Sequence, residues 1–500
     1  PPAVREPLGY LVELLAAVPS VVYGFWALAV IAPLLQHQVE PDLAWLTGGG
    51  FPFSGHSFGL DVLTASVVLA IMVLPTISAI ARASLQAIPK VQREAALSLG
   101  ATRWESTRIA VLGPARSGII GGILLGLGRA VGETIAVALT IGNINQIPTS
   151  LFSPGQTIAS LIANDFTAVA PPETNAIVEI GLVLLLVTLV INVIARLLIW
   201  RIRRETPSTS HPRRSTGGRL RALAERASAA TLHPLAVGTP GAERPKPAPA
   251  MPAWRRAARD SAGPRRARRR AVYWTAVGLM LIATVLAVAP LVSILWTAAD
   301  RGGAAVVQPS FYTTEPTPAC NPGPNVSCSL GGIGPYIVGT LVLLGIAGLI
   351  AIPVGILAGI YLSEYGRNRY GRTVSFFTDV MTGLPSILLG VFVFVVFLQY
   401  DRDIANSAIS GGVALSVLMI PLVTRTTEEA LKTVPMSLRE SALALGFPKH
   451  RVTLRITLGC ARNAIVTGTL LATARAGGET AALLMTATGF EYWPHGLGQR

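Results

Sequence analysis

Runs of about 20 apolar residues recur along the whole chain, near 10–35, 58–82, 117–142, 176–200, 272–298, 335–362, 374–399, 408–426 and 463–488. A helix needs about that length to cross the ~30 Å hydrocarbon core of a bilayer. Inside that core no water pairs with backbone N–H and C=O groups, so only a helix or a closed barrel can span it. Runs this long and this continuous predict helices, and about nine spans in an all-α polytopic membrane protein. A mean hydropathy of +0.54 with 13% charged residues excludes an ordinary soluble domain. Prolines 19, 75, 353, 385 and 421 fall within these runs and are expected to kink them. Small residues such as Gly121, Gly122, Gly126 and Gly128 predict spans packed against one another.

The net charge of +15 is not spread over the chain. Arg201–Arg270 holds about 18 basic residues against about 4 acidic ones. Beside membrane helices, such a stretch reads as a cytoplasmic linker facing lipid and not as a nucleic-acid surface. Its Arg, Pro, Ala and Ser content predicts a largely disordered segment, with room for a short helix near Leu220–Ala230. It separates a first half, 1–200, from a second half, 271–500. Counting spans outward from the linker puts loops 83–116 and 427–462 and the basic stretch 365–372 inside. Loops 36–57, 143–175 and 299–334 then fall outside. Cys320 and Cys328 lie in the last of these and are a candidate disulfide, two free thiols being the alternative. Cys460 falls inside and is expected to stay reduced. Asn325-Val326-Ser327 fits a glycosylation sequon, a pattern too short to carry weight. Position 1 is Pro, the chain runs at once into an apolar segment, and no signal peptide is visible. Both halves are therefore expected to be truncated at their outer ends, the first at its N-terminus and the second at its C-terminus.

The two halves repeat one another. Residues 94–143 align without a gap to 440–489, with about 20 of about 50 positions identical. AVPSVVYGFWAL at 17–28 resembles GLPSILLGVFVF at 383–394, and MVLPTISA at 72–79 resembles LMIPLVTR at 418–425. The first half carries roughly 20 extra residues around Pro41–Phe53, in its outer loop. Homologous halves of one orientation imply a pseudo-two-fold axis along the membrane normal.

Each repeat opens with a polar piece on the inner side. Glu94, Ala95, Ala96 and Gly100 correspond to Glu440, Ser441, Ala442 and Gly446, with Pro89 and Pro435 ahead of them. An Ala-rich helix closed by Gly is a short helix-turn element. One copy alone would read as an interfacial amphipathic helix, whereas two matched copies favour docking of a symmetric partner. Glu-Ala-Ala followed by Gly resembles the EAA loop of ABC importer permeases. The second copy departs from it at Ser441, and the Leu-Pro that usually follows is blurred in both copies, Leu112-Gly113-Pro114 and Leu458-Gly459-Cys460. The resemblance implies that the loop forms a coupling helix seated on an ATP-hydrolysing subunit, and that the fold is two type I permease halves. No G-x-x-x-x-G-K-[ST] occurs, and Lys90, Lys246, Lys432 and Lys449 all lack its glycines. This chain is therefore not expected to be an enzyme: ATP belongs on the partner, and no cofactor or metal is expected here.

Each repeat then continues into an apolar run holding charge. Gly128-Arg129-Ala130-Val131-Gly132-Glu133-Thr134 matches Ala474-Arg475-Ala476-Gly477-Gly478-Glu479-Thr480. Arg and Glu four apart share one helix face and can pair. A charge at mid-membrane costs about 2.5–3.5 kcal/mol by the milder scale, so it faces a wet path or a partner. A self-neutralised pair gluing helices is one reading. The other is an anion site in which the two arginines meet near the axis, guanidinium being a planar fork for oxyanions. The glutamates would then hold the arginines when the site is empty, and the glycines would leave room for the anion.

Arg-Ala-x-Gly-Glu-Thr before a small, apolar run resembles the two permease subunits of phosphate-specific ABC importers, here fused in one chain. The resemblance covers nearly all of both halves and leaves out the linker. It implies a substrate pathway through Arg129, Glu133, Thr134, Arg475, Glu479 and Thr480. It implies an ATPase dimer below, an extracytoplasmic phosphate-binding protein above, inorganic phosphate as cargo, lipid around the spans, and alternating access. An ABC permease for molybdate or sulfate is the first alternative, and an ion-driven secondary transporter or a membrane scaffold the more remote one. Four lysines among 41 basic residues suggest a genome rich in G and C, hence a bacterial plasma membrane, the inner one if the cell has two.

Overall fold

The computed structural model describes residues 11–12, 14–15, 18–48, 50–166, 174–205, 263–316, 331–366, 368–487 and 493. In chain order the main helices are α1 (Ser20–Leu46), α2 (Val62–Gln86), α3 (Lys90–Ser98), α4 (Arg103–Val131), α5 (Ile135–Thr140), α6 (Ile158–Asp165) and α7 (Thr174–Glu205). After the linker come α8 (Gly263–Val306), α9 (Gly334–Glu364), α10 (Arg369–Thr382), α11 (Ser386–Leu398), α12 (Ala408–Lys432), α13 (Met436–Ala444), α14 (Leu458–Gly477) and α15 (Ala481–Thr486). Among the described residues, 7 helices are long and apolar enough to cross a membrane, and the bent pair α10–α11 makes up to 8.

Four of the expected spans are drawn differently. The run 10–35 is interrupted at Val18-Pro19, and α1 starts at Ser20 and continues to Leu46, through much of the stretch assigned to an outer loop. The run 374–399 is two helices meeting at 104°, with Pro385 at the head of the second. The runs 117–142 and 463–488 are each broken, the first between α4 and α5 and the second between α14 and α15. Pro19 and Pro385 therefore open helices instead of kinking them, in the N-cap position where the missing N–H costs nothing. Pro75, Pro353 and Pro421 do lie inside helices. Both ends of the linker are helical, since α7 runs to Glu205 and α8 begins at Gly263. Residues 206–262, with the helix expected near Leu220–Ala230, lie outside the described residues, as do Cys320 and Cys328. Cys460 is an exposed free thiol.

The chain forms two compact units. One comprises 1–87, 118–198 and 282–500, and the other 88–117 and 199–281. Within the first, α9 packs along α12 through small residues. A Cβ added at Gly359 would lie 2.7 Å from the Thr424 carbonyl, and one at Gly355 would lie 2.6 Å from Val423 Cβ. This is a G-x-x-x-G contact, which lets two backbones approach in lipid. The repeated halves also share a core. Ile135 and Ile162 from the first half cluster with Ile387, Leu388, Ala481 and Met485 from the second. Helix α8 leans on the first half: Leu291 and Ile294 pack with Tyr23, Trp26 and Met72, and Trp26 Nε1 donates to Ser293 Oγ at 2.9 Å.

Candidate functional site: a charged break in two matched helices

The Arg–Glu motif of each repeat sits where a long helix stops and a short one starts. Helix α4 ends at Val131 and α5 begins at Ile135, while α14 ends at Gly477 and α15 begins at Ala481. The break is built identically in both. Gly132 and Glu133 N–H donate to the Arg129 and Ala130 carbonyls at 3.1 and 3.2 Å. Gly478 and Glu479 N–H donate to the Arg475 and Ala476 carbonyls at 3.2 and 3.1 Å. Each short helix then restarts on the Thr134 or Thr480 carbonyl, which accepts from the residue four further on at 2.8 or 2.9 Å. Broken helices at membrane depth are tolerated where the loosened backbone lines protein or a cavity, and they are where transporters place ion sites. The break also separates Arg from Glu. Among the described residues no ion pair within 4 Å joins Arg129 to Glu133 or Arg475 to Glu479.

The glycines have a different task from the one expected. A Cβ at Gly132 would lie 3.1 Å from Pro385 Cα, and one at Gly478 would lie 3.2 Å from Pro19 Cγ. Each break therefore packs on the proline that opens the matching helix of the other half. These reciprocal contacts place the two motifs together across the pseudo-two-fold relation. Asn192 of α7 adds a further cross-half contact, its Nδ2 donating to the Gly383 carbonyl at 3.4 Å.

The four charges gather as a result. Arg475 lies in the fields of Arg129, Glu479 and Glu133, and Glu133 in those of Glu479 and Arg129. Glu133 also faces Ser20 on the first turn of α1, and Arg129 acts on buried Tyr23 one turn further. Arg129 is tethered, its Nη1 donating to Thr76 Oγ1 at 3.3 Å. Arg475 makes no hydrogen bond or ion pair among the described residues, although it sits amid the other three charges. Thr134 is buried, with its hydroxyl on the Gly132 carbonyl at 3.3 Å, and Thr480 is half-buried. The arrangement is two guanidiniums and two carboxylates with room left in the hydrogen-bonding of one guanidinium. An oxyanion can take that place.

The polar lead-ins are equally alike. Pro89 and Pro435 cap α3 and α13 at φ/ψ of −56°/136° and −56°/137°, and Gly100 and Gly446 both adopt φ +83°. Each glycine closes a Schellman turn: Gly100 and Ala101 N–H reach the Leu97 and Ala96 carbonyls at 2.9 and 3.2 Å, and Gly446 and Phe447 N–H reach Leu443 and Ala442 at 2.9 and 3.3 Å. Glu94, Ala95, Glu440 and both glycines are exposed, Ala96 is half-buried and Ala442 is buried. Apolar Val91, Leu97 and Leu99 on one helix, and Met436, Leu443, Leu445 and Phe447 on the other, stand exposed.

Residues 1–204 and 351–499 each match the family described as binding-protein-dependent transport system inner membrane component. The chain belongs to this family. It carries the permease domain twice, which accounts for the repeated break and the repeated lead-in. Relatives of the permease include the phosphate transport system permease protein PstC of Pasteurella multocida, 44% identical over 209 residues, covering 41% of this chain and 65% of that one. PstC 2 of Mycobacterium tuberculosis is 39% identical over 204 residues, covering 39% and 62%. PstA 1 of the same species is 38% identical over 218 residues, covering 44% and 70%. The permease thus spans about 65% of the length of the PstC relative from Pasteurella. It is an all-α, multi-span membrane protein whose relatives are transport proteins and not enzymes.

Sequence reasoning missed three residues around the charges: Ser20, Tyr23 and Thr76. The Pro-Ser pair at 19–20 recurs at 385–386, so the repeat itself held that signal. Thr76 is matched by Leu422 in the second half, and only its contact with Arg129 reveals it.

Proposed function

We propose that the permease conducts inorganic phosphate through the inner, or plasma, membrane of a bacterium, driven by a separate ATP-hydrolysing dimer. The observation that carries this reading is the meeting of Arg129 and Arg475 beside Glu133 and Glu479, with Arg475 lacking a protein partner among the described residues. Two forks from two halves suit a tetrahedral oxyanion, which offers acceptor oxygens on opposite sides. Glu133 and Glu479 balance the arginines when the site is empty. They repel a bound anion, so its residence is short enough for transit. The permease relatives named for phosphate favour that ion over molybdate or sulfate.

Exposed α3 and α13 are the surfaces for the ATPase, with Glu94, Glu440, Gly100 and Gly446 at matched places. An extracytoplasmic binding protein would deliver phosphate to the outer side. ATP-driven closure of the dimer would draw the coupling helices together and turn the two breaks, packed on each other's prolines, toward opposite sides in turn. This is alternating access through a site shared by two pseudo-symmetric halves.

The test is uptake of labelled phosphate by cells that depend on this permease, against competing arsenate, sulfate and molybdate. Arg129→Gln and Arg475→Gln are each expected to reduce uptake at least a hundredfold, while the ATPase still co-purifies. The loss of a charge-assisted contact of about 3 kcal/mol corresponds to that factor. Wild-type uptake by either variant would overturn the anion site, and equal inhibition by molybdate or sulfate would overturn the choice of phosphate.

A further inference from the structure

A cavity of about 610 Å³ opens between α9, α10, α12 and α13, away from the charged breaks. Ser363, Arg372, Ser375, Glu428, Lys432 and Arg439 line it. Most of its charge is already matched. Lys432 Nζ meets Glu428 Oε1 at 2.5 Å, and Arg439 Nη1 meets Glu364 Oε1 at 2.7 Å. Arg425 joins Asp379, and its Nη1 meets Glu428 Oε2 at 2.6 Å. Three donors are left over. Arg439 Nε and Ser363 Oγ are buried and have no hydrogen-bond partner among the described residues, and neither has the acceptor Glu364 Oε1, which Arg439 meets as an ion pair only. The guanidinium of Arg372, which is exposed at the cavity's rim, has neither ion pair nor hydrogen bond there. A buried donor left unmade costs about 1–3 kcal/mol, so two beside an unpaired cation call for an acceptor with several oxygens.

The wall formed by α10 gives the level of this cavity in the membrane. Helix α10 is amphipathic, carries Arg369 and Arg372 and exposes Tyr370, Phe376 and Phe377. It turns through 104° into α11. A basic, aromatic helix at a large angle to the span it precedes fits the headgroup layer. A cavity at that level is open to two sources of phosphate groups, lipid headgroups and ions in the adjoining water.

We propose that this cavity binds a phosphate group, with Arg372, Arg439 Nε and Ser363 Oγ as donors, and that its occupancy stiffens α13. Arg439 is the residue before Glu440, and its Nη2 already holds the Leu431 carbonyl at 2.5 Å. An anion on Nε would fasten that guanidinium along a further edge and, through it, the start of the coupling helix. In the first repeat the matching residues of α2 are Ala79, Arg82 and Gln86 in place of Arg425, Glu428 and Lys432. The ion-pair network beside the cavity is therefore not repeated in α2, although Arg93 matches Arg439.

The test is hydrogen exchange of the full purified chain in phosphatidylcholine nanodiscs. One arm replaces about a fifth of the lipid with phosphatidylglycerol, and the other adds inorganic phosphate to the neutral discs. The phosphate arm is repeated on Arg129→Gln, which removes the central anion site. In at least one arm, exchange over 436–444 is expected to slow about fivefold, the worth of one arginine at an anionic surface, with no change over 90–98. Arg372→Gln and Ser363→Ala should each take away most of that slowing. A response to phosphatidylglycerol alone assigns the group to lipid, and a response to inorganic phosphate alone assigns it to the free ion. No slowing in either arm, or slowing that survives both substitutions, would overturn the site.

Discussion

The two repeated lead-in helices, α3 and α13, have the same backbone and different moorings. Helices α3 and α13 agree to a degree in their proline caps and in the left-handed glycine that ends them. Helix α13 is tied to neighbouring helices by charge held largely out of water: Arg439 and Glu364 are 13% and 7% exposed, and Arg439 also holds a carbonyl of α12. Helix α3 has no buried residue, and the turn that follows it is fastened on the surface. There Thr102 and Glu105 form a capping box, and Arg269, from the start of α8, donates through Nε to Glu105 Oε1 at 2.6 Å and through Nη2 to the Gly100 carbonyl at 3.0 Å. The second copy has Pro448 and Arg451 at the Thr102 and Glu105 positions and cannot build that clasp. Shape is thus fixed by the residues the repeats share. The clasp after α3 uses residues they do not share, whereas Arg439 is matched by Arg93 of α3, and the two differ in burial: Arg439 is half-buried and Arg93 exposed.

The largest effect should come from the buried mooring. Arg439→Ala leaves Glu364 uncompensated and is expected to destabilise the second half by about 3 kcal/mol, seen as an earlier melting transition and weaker retention of the ATPase. Because the pair acts as a unit, Arg439→Ala with Glu364→Ala should cost less than the sum of the two single changes. Additivity in that cycle would mean that α13 is held by something else.

The glycines come next, and here the halves should agree. Nothing stands within 4 Å of a Cβ built on Gly100 or Gly446, so only the backbone conformation opposes a side chain. Gly100→Ala and Gly446→Ala should each cost about 1–2 kcal/mol of local stability, because φ +83° is unfavourable for an L-residue. Asparagine at either place should be milder than alanine. Local hydrogen exchange measures both, and a clear inequality between the two sites would break the equivalence.

The same division explains what could be read from the sequence. Charged motif, Glu-led lead-in and prolines each occur twice, so the fold class and the duplication were legible. The breaks at Gly132–Thr134 and Gly478–Thr480 were not, because an Arg and a Glu four apart also suit an unbroken helix. The role of Gly132 and Gly478 was hidden for a related reason: the prolines they meet lie far away in sequence, in the other half. Helix α10 read as the start of a span because Val374–Phe377 is apolar, and only its bend at Gly383–Pro385 reveals a separate element. The moorings were least legible, since Glu364–Arg439 and Glu105–Arg269 pair charges distant in sequence, and although the repeat matches Arg439 with Arg93 it does not name the partner of either.

The smallest effect belongs to the surface clasp, and it bears most directly on the contrast. Arg269 and Glu105 are both open to water, so their attraction is screened and contributes little to global stability. Its effect should be local. With Glu105→Gln the capping box keeps its backbone partners while Arg269 loses its carboxylate, so exchange over 98–106 should rise modestly and that over 436–444 should not. Salt should do the same to the unaltered chain, because at about 1 M the screening length falls to roughly 3 Å. The buried pair at Arg439 should scarcely respond. If salt instead loosened α13 as much as the turn after α3, burial would not be what separates the two moorings, and the difference between the halves would have to lie in the helices that carry them.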